Sequence, residues 1–142
     1  MASASSSIVI NQPVDKVFGY ITNVTNHTAW QAGILSATIT PNGPVALGSI
    51  YHYTTEVMGR RYETQLQVSG FEQDKKWAVK TIGVPRSVET VYLFESIGNT
   101  TRLTISSDLT GGYPAAAEAM VKAQMQKNFD EQGQRIKKTL EK

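Results

Sequence analysis

PAAAEAMVKAQMQKNFDEQGQRIKKTLEK, residues 114–142, reads as one long helix. Proline suits a first helical turn, where its missing N–H costs nothing. Small or apolar residues then recur at helical spacing: Ala117, Val121, Met125, Phe129, Gly133, Ile136 and Leu140. At about 1.5 Å per residue such a helix runs roughly 43 Å. That is longer than a typical strand, so the helix crosses the whole of any sheet it packs on. Lys137, Lys138 and Lys142 sit at its C-terminal end, where cations suit the helix dipole. The two halves of the apolar stripe differ. The first is alanine and methionine; the second carries Phe129, Ile136 and Leu140. A helix anchored by bulk at one end and by alanine at the other need not fill the space above a curved sheet. An internal cavity is expected there.

Working backwards from the helix, residues 35–110 follow a period of two, the signature of strands. The candidate strands are 35–40, 49–58, 62–73, 76–82, 88–96 and 102–109. Strong turn signals separate them: PNGP at 41–44, Gly59-Arg60, Gln73-Asp74-Lys75, Gly83-Val84-Pro85 and Gly98-Asn99. Strands joined by such short turns are antiparallel. Gly111-Gly112 ends the sheet and lets the chain reverse into the last helix. At the other end, residues 6–11 form a short strand through Ile8, Val9 and Ile10. Pro13 opens a helix whose apolar face is Val14, Val17, Phe18 and Ile21. A second short helix, 25–31, carries Trp30 and is broken by Gly33. Residues 1–6 are small and polar and are expected to be flexible. The order is β-α-α-β6-α, an α+β fold in a single domain, 1–142.

Composition narrows the function. The chain has 142 residues, no cysteine and a net charge of +2 with both signs dispersed. Disulfides, thiolate metal sites and cysteine nucleophiles are excluded. No run of Lys or Arg suggests nucleic acid, and no apolar stretch reaches the roughly 20 residues of a membrane span. The N-terminus lacks the basic and apolar regions of a signal peptide, so a cytoplasmic protein is expected. No group of His, Asp and Glu has metal-ligand spacing. There is no phosphate-binding glycine loop and no nucleophile elbow. Neither a metal nor a cofactor is expected, and the protein is expected to be a monomer or homodimer.

The layout resembles the START-like superfamily, also called SRPBCC or helix-grip proteins, and within it the polyketide cyclase/dehydrase branch. The resemblance lies in IVINQPVDKVF at 8–18, Trp30, GSIY at 48–51, ESIGNTTRL at 95–103 and the long last helix. It implies a seven-stranded antiparallel curved sheet gripping the C-terminal helix, with a mostly apolar cavity between them. It implies no single activity, because members bind lipids, steroids, quinones or polyketides and some catalyse cyclisation or hydrolysis.

Alternation assigns the faces of the strands. Tyr51, Tyr53 and Thr55 share one face, with Tyr62, Thr64, Leu66 and Val68 opposite them. Trp77 and Val79, Tyr92 and Phe94, and Leu103 and Ile105 continue that face, which carries hydroxyls but no charge. Uncharged walls with a few convergent hydroxyls are what a small-molecule pocket looks like. The expected ligand-binding residues are therefore Trp30, Tyr51, Tyr53, Tyr62, Trp77, Tyr92, Phe94, Val121 and Met125. Gln124 and Asn128 flank the helix stripe and could add polar groups. His52 and Glu56 fall on the opposite face, as a surface cluster. His27 lies three residues before Trp30, near a pocket mouth, where a helix-end histidine is ordinarily solvated. Arg60 and Arg61 stand at a hairpin tip. No catalytic constellation emerges.

Three functions fit these residues. The first is a carrier or sensor for a small hydrophobic molecule. The second is a polyketide cyclase/dehydratase-type enzyme in which the cavity tyrosines orient or protonate an enol. The third is an interaction protein with a filled core, like the chaperone-activator branch of the superfamily. Tyrosine, with a pKa near 10, can donate to a carbonyl but is a poor base at neutral pH.

Overall fold

A computed structural model describes residues 3–31, 34–83, 88–108 and 115–141. The elements run β1 (Ser3–Ile10), α1 (Val14–Thr22), a single 3₁₀ turn (Val24–Asn26), α2 (His27–Trp30), β2 (Ile34–Thr40) and β3 (Ile50–Val57). They continue with β4 (Arg60–Glu72), β5 (Lys76–Ile82), β6 (Glu89–Ile97), β7 (Thr100–Asp108) and α3 (Ala115–Leu140). The strands form one antiparallel sheet in the order β1-β7-β6-β5-β4-β3-β2. This is the helix-grip fold expected from the sequence. The breaks expected at Gly33, Val84-Pro85 and Gly111-Gly112, and the role of Pro114, lie outside the described residues.

Two differences from the sequence reading have physical causes. β1 begins at Ser3, so residues 3–6 are not a flexible tail. They pair with β7, Ser3 opposite Asp108 and Ser6 opposite Ile105. They are also tied to α3, through Ser5 N–H to Gln126 Oε1 at 3.1 Å and Ser6 Oγ to Asp130 Oδ1 at 2.5 Å. Serine is a modest strand former, and here tertiary hydrogen bonds override its propensity. The expected second helix divides into a 3₁₀ turn and the single turn of α2, with Asn23 Oδ1 capping the former through the Thr25 N–H.

α3 docks through the second half of its stripe. Phe129 and Ile136 are buried and Leu140 packs against the core. Gly133 lets the helix approach β1, since a Cβ there would lie 3.3 Å from Ile8 Cγ2. Polar bonds stitch the same seam: Lys137 Nζ donates to Val9 O at 2.8 Å, and Gln12 Nε2 to Leu140 O at 2.6 Å. The first half is looser, with Met120 76% exposed. α1 buries Val17, Phe18 and Ile21, and the Phe18 ring stands 5.0 Å from that of Phe94 on β6, edge to face. At the β3–β4 hairpin, Met58 and Gly59 both have positive φ, 52° and 81°, the pairing a tight two-residue hairpin requires.

Candidate functional site

Three strands and one short helix build an aromatic cluster on the concave face. Pleating turns Tyr51 and Tyr53 of β3 inward together, and register sets Trp77 of β5 directly opposite Tyr92 of β6. α2 then lays His27 and Trp30 onto these rings. His27 stands 4.8 Å from Tyr51, 5.3 Å from Trp30 and 5.7 Å from Trp77, centroid to centroid. Trp77 and Tyr92 are 4.8 Å apart and Trp30 and Tyr92 5.9 Å. The contacts are mostly tilted or edge-on, the arrangement aromatic quadrupoles favour. His27, Trp30 and Tyr51 are completely buried, and Trp77 and Tyr92 nearly so.

Hydrogen bonds fix the polarity of the cluster. His27 Nε2 is 2.8 Å from Ile21 O, which can only accept, so Nε2 carries the proton. Nδ1 must then accept, and it does so from Tyr53 Oη at 2.6 Å. Tyr53 Oη also accepts from Gln31 Nε2 at 3.2 Å. Tyr51 Oη donates to Thr22 O at 2.8 Å, and Tyr92 Oη to Gln132 Oε1 at 3.0 Å. Burial pushes His27 down to about 4 and pushes the hydroxyls of Tyr51, Tyr53 and Tyr92 well above their ordinary value. The Trp77 N–H tempers the rise at Tyr51 without reaching hydrogen-bond geometry. Every one of these shifts favours the neutral form. Three buried groups find no hydrogen-bond partner among the described residues: the indole N–H groups of Trp30 and Trp77 in the cluster, and the Tyr20 hydroxyl outside it. Each unpaired donor costs about 1–3 kcal/mol.

The cluster has a polar lip. A hollow of about 120 Å³ is lined by Gln31, Asn128, Glu131, Gln132 and Arg135. Gln31 and Gln132 line it from opposite sides, from the end of α2 and from α3. They are the same two amides that hold Tyr53 and Tyr92, so two glutamine side chains separate the surface from two buried phenols.

The structure gathers Trp30, Tyr51, Tyr53, Trp77 and Tyr92 into this cluster. Phe94 packs against Phe18 instead, and Met125 packs at the edge of the core while Val121 is half-buried on α3. Tyr62 is not part of the cluster: it is 49% exposed, opposite Thr55 near the hairpin turn. His27 departs most from expectation, being wholly buried rather than solvated. Gln124 is exposed and bonds Asn128 at 3.0 Å, outside the cluster. His52 lies on the outer face between Thr40 and Gln65, and Arg61 is 3.9 Å from Glu56 at the hairpin tip. Among the described residues no cluster of His, Asp and Glu could hold a metal, and no helix is long and apolar enough to cross a membrane.

Comparison with known proteins agrees with this architecture. Residues 1–141 match the family described as polyketide cyclase / dehydrase and lipid transport. A START superfamily protein from Mycobacterium smegmatis superposes with a TM-score of 0.79 at 12% identity, covering 98% of this chain and 97% of that one. The di-domain ARO/CYC BexL of the BE-7585A biosynthetic pathway gives 0.81 at 12% identity, over 99% of this chain and 47% of its own. The Aha1 dimer from Colwellia psychrerythraea gives 0.72 at 15% identity, over 99% and 96%. At these identities the likeness is one of fold. No curated protein matches the chain. With a seven-stranded sheet gripping a C-terminal helix and a family match along nearly all its length, the chain belongs to the START-like superfamily and, within it, to the polyketide cyclase / dehydrase and lipid transport family.

Proposed function

We propose that the protein binds a small, largely apolar molecule carrying carbonyl or hydroxyl oxygens, of the polyketide or aromatic type, by opening the aromatic cluster at its glutamine lip. The observation that carries this reading is the pair of buried, unpartnered indole donors at Trp30 and Trp77. Buried donors are almost always paired, so each exception asks for a role. Two such donors beside two phenols held by flexible amides form a set of groups suited to a ligand with several acceptor oxygens. Trp30, Tyr51, Tyr53, Trp77 and Tyr92 would contact it, with Phe94, Val121 and Met125 bounding the space.

The same electrostatics favour binding over catalysis. An enzyme that shuttles protons at neutral pH needs groups that titrate near 7. His27 falls to about 4 and the tyrosines rise, so proton transfer from Tyr53 to His27 is strongly uphill, at about 1.4 kcal/mol per pH unit of mismatch. A filled-core interaction protein is the second reading, and the complete burial of His27, Trp30 and Tyr51 favours it. Thermal-shift titration with 1,8-dihydroxyanthraquinone, and with anthracene as its oxygen-free counterpart, separates the two. Ligand at about 100 times its Kd adds roughly 2.7 kcal/mol of stability. The binding reading expects a clear rise in Tm with the quinone and a smaller one with anthracene. No response to either compound, nor to anything that co-purifies, removes that reading and leaves the filled core.

A further inference from the structure

We propose a second binding site, for a neutral one- or two-ring aromatic molecule bearing a hydrogen-bond acceptor, in the hollow between α1, the β2–β3 loop and the β4–β5 turn. This hollow shares no side chain with the glutamine lip, and at about 370 Å³ it falls within the size range of small-molecule sites. Its floor is apolar. Phe18 and Phe71 meet edge to face at 5.6 Å, and Ile39 and Val45 extend the surface. Among the described residues no charged side chain lines it, so a neutral ligand is the natural fit.

Gly19 is the second observation. It sits inside α1, where glycine is the least favourable residue after proline. Glycine in a helix is usually explained by a close neighbour, as at Gly133. Gly19 has none among the described residues, where a Cβ would meet nothing within 4 Å. The helix bears the cost of a glycine that lines this hollow, where a side chain would project from its wall. A third observation supplies polarity. Asn23 Oδ1 accepts from Thr25 N–H at 3.1 Å and from Thr25 Oγ1 at 2.9 Å, which fixes the amide orientation. Asn23 lines the hollow, and neither of these bonds uses its Nδ2, a donor suited to a carbonyl or ether oxygen. Thr22 Oγ1 is already committed to Phe18 O, so it adds shape rather than recognition.

The test is an NMR titration of ¹⁵N-labelled protein with 2-acetylnaphthalene, alongside 2-methylnaphthalene and naphthalene-2-sulfonate. The expected result is saturable shifts at the amides of Gly19, Asn23 and Gly43 with the ketone, weaker binding of the hydrocarbon and none of the sulfonate. Gly19→Leu should weaken the ketone at least about tenfold, a loss of about 1.4 kcal/mol, without lowering Tm. Gly19→Ala should raise Tm and weaken binding several-fold, and it carries the test if the leucine variant fails to fold. The site is overturned if saturating ketone leaves those three amides unshifted. It is equally overturned if the folded Gly19 variants bind the ketone as tightly as the unsubstituted protein.

Discussion

The hydroxyl of Tyr53 stands 2.6 Å from Nδ1 of His27, on a ring whose other nitrogen is 2.8 Å from the carbonyl oxygen of Ile21. The two bonds leave the imidazole no room for a second proton. Protonated, Nδ1 would face a hydroxyl forced to turn its own hydrogen away, inside a cage of Trp30, Tyr51 and Trp77. The cage is therefore built around a neutral histidine.

Stability should fall in acid for this reason. His27 titrates at about 4 in the fold and near 6.5 when unfolded. A depressed folded value means that the unfolded chain binds the extra proton first. The contribution is complete above pH 6.5 and is lost as pH drops from 6.5 to 4, reaching about 3 kcal/mol. Urea midpoints measured across this window should slope downward, and His27→Gln should remove that part of the slope.

At the alkaline end the sign is reversed. The folded values of Tyr51, Tyr53 and Tyr92 lie above the ordinary value of 10, so their contribution is present below pH 10 and lost as pH rises through the folded values. Absorbance at the phenolate band should show these three of the six tyrosines silent until the protein unfolds. A full six-tyrosine transition in the folded state would contradict the burial of the cluster.

Gly133 should be intolerant of bulk. The contact at 3.3 Å from Ile8 Cγ2 leaves no space for a side chain on the seam between α3 and β1. Gly133→Leu should cost about 1–3 kcal/mol through overpacking, read as a lowered urea midpoint. Gly133→Ala should be close to neutral, because a helix-propensity gain of about 1 kcal/mol offsets the crowding.

Much of this was legible in the sequence. Alternation along β3, β5 and β6 identified Tyr51, Tyr53, Trp77, Tyr92 and Phe94 as inward, because a sheet with one buried face ties side-chain direction to parity. The stripe from Met125 to Leu140 on α3 was legible for the same kind of reason. Tyr62 falls outside the cluster because parity gives a face but not the distance along a strand at which cover ends. The burial of His27 is not legible, because α2 is one turn long, too short for any period to show. Gln31 and Gln132 come to line one hollow only in three dimensions, from elements about 100 residues apart in sequence, so no local pattern could pair them.

The glutamine lip should act as a latch. Gln31→Ala and Gln132→Ala remove the amides that hold Tyr53 and Tyr92 from the surface side. Stopped-flow fluorescence with 1,8-dihydroxyanthraquinone should show association several-fold faster in the double variant, as expected when a gate limits access. An unchanged rate would assign the path to another face.

The chain holds only two tryptophans, so a ¹H–¹⁵N spectrum carries two indole N–H signals, both from groups with no acceptor among the described residues. Titration with 1,8-dihydroxyanthraquinone while following those two signals tests the binding account most directly. The account predicts that both move downfield together, saturably, as Trp30 and Trp77 gain acceptor oxygens. Quinone binding that shifts other resonances while leaving both indole signals in place would contradict it.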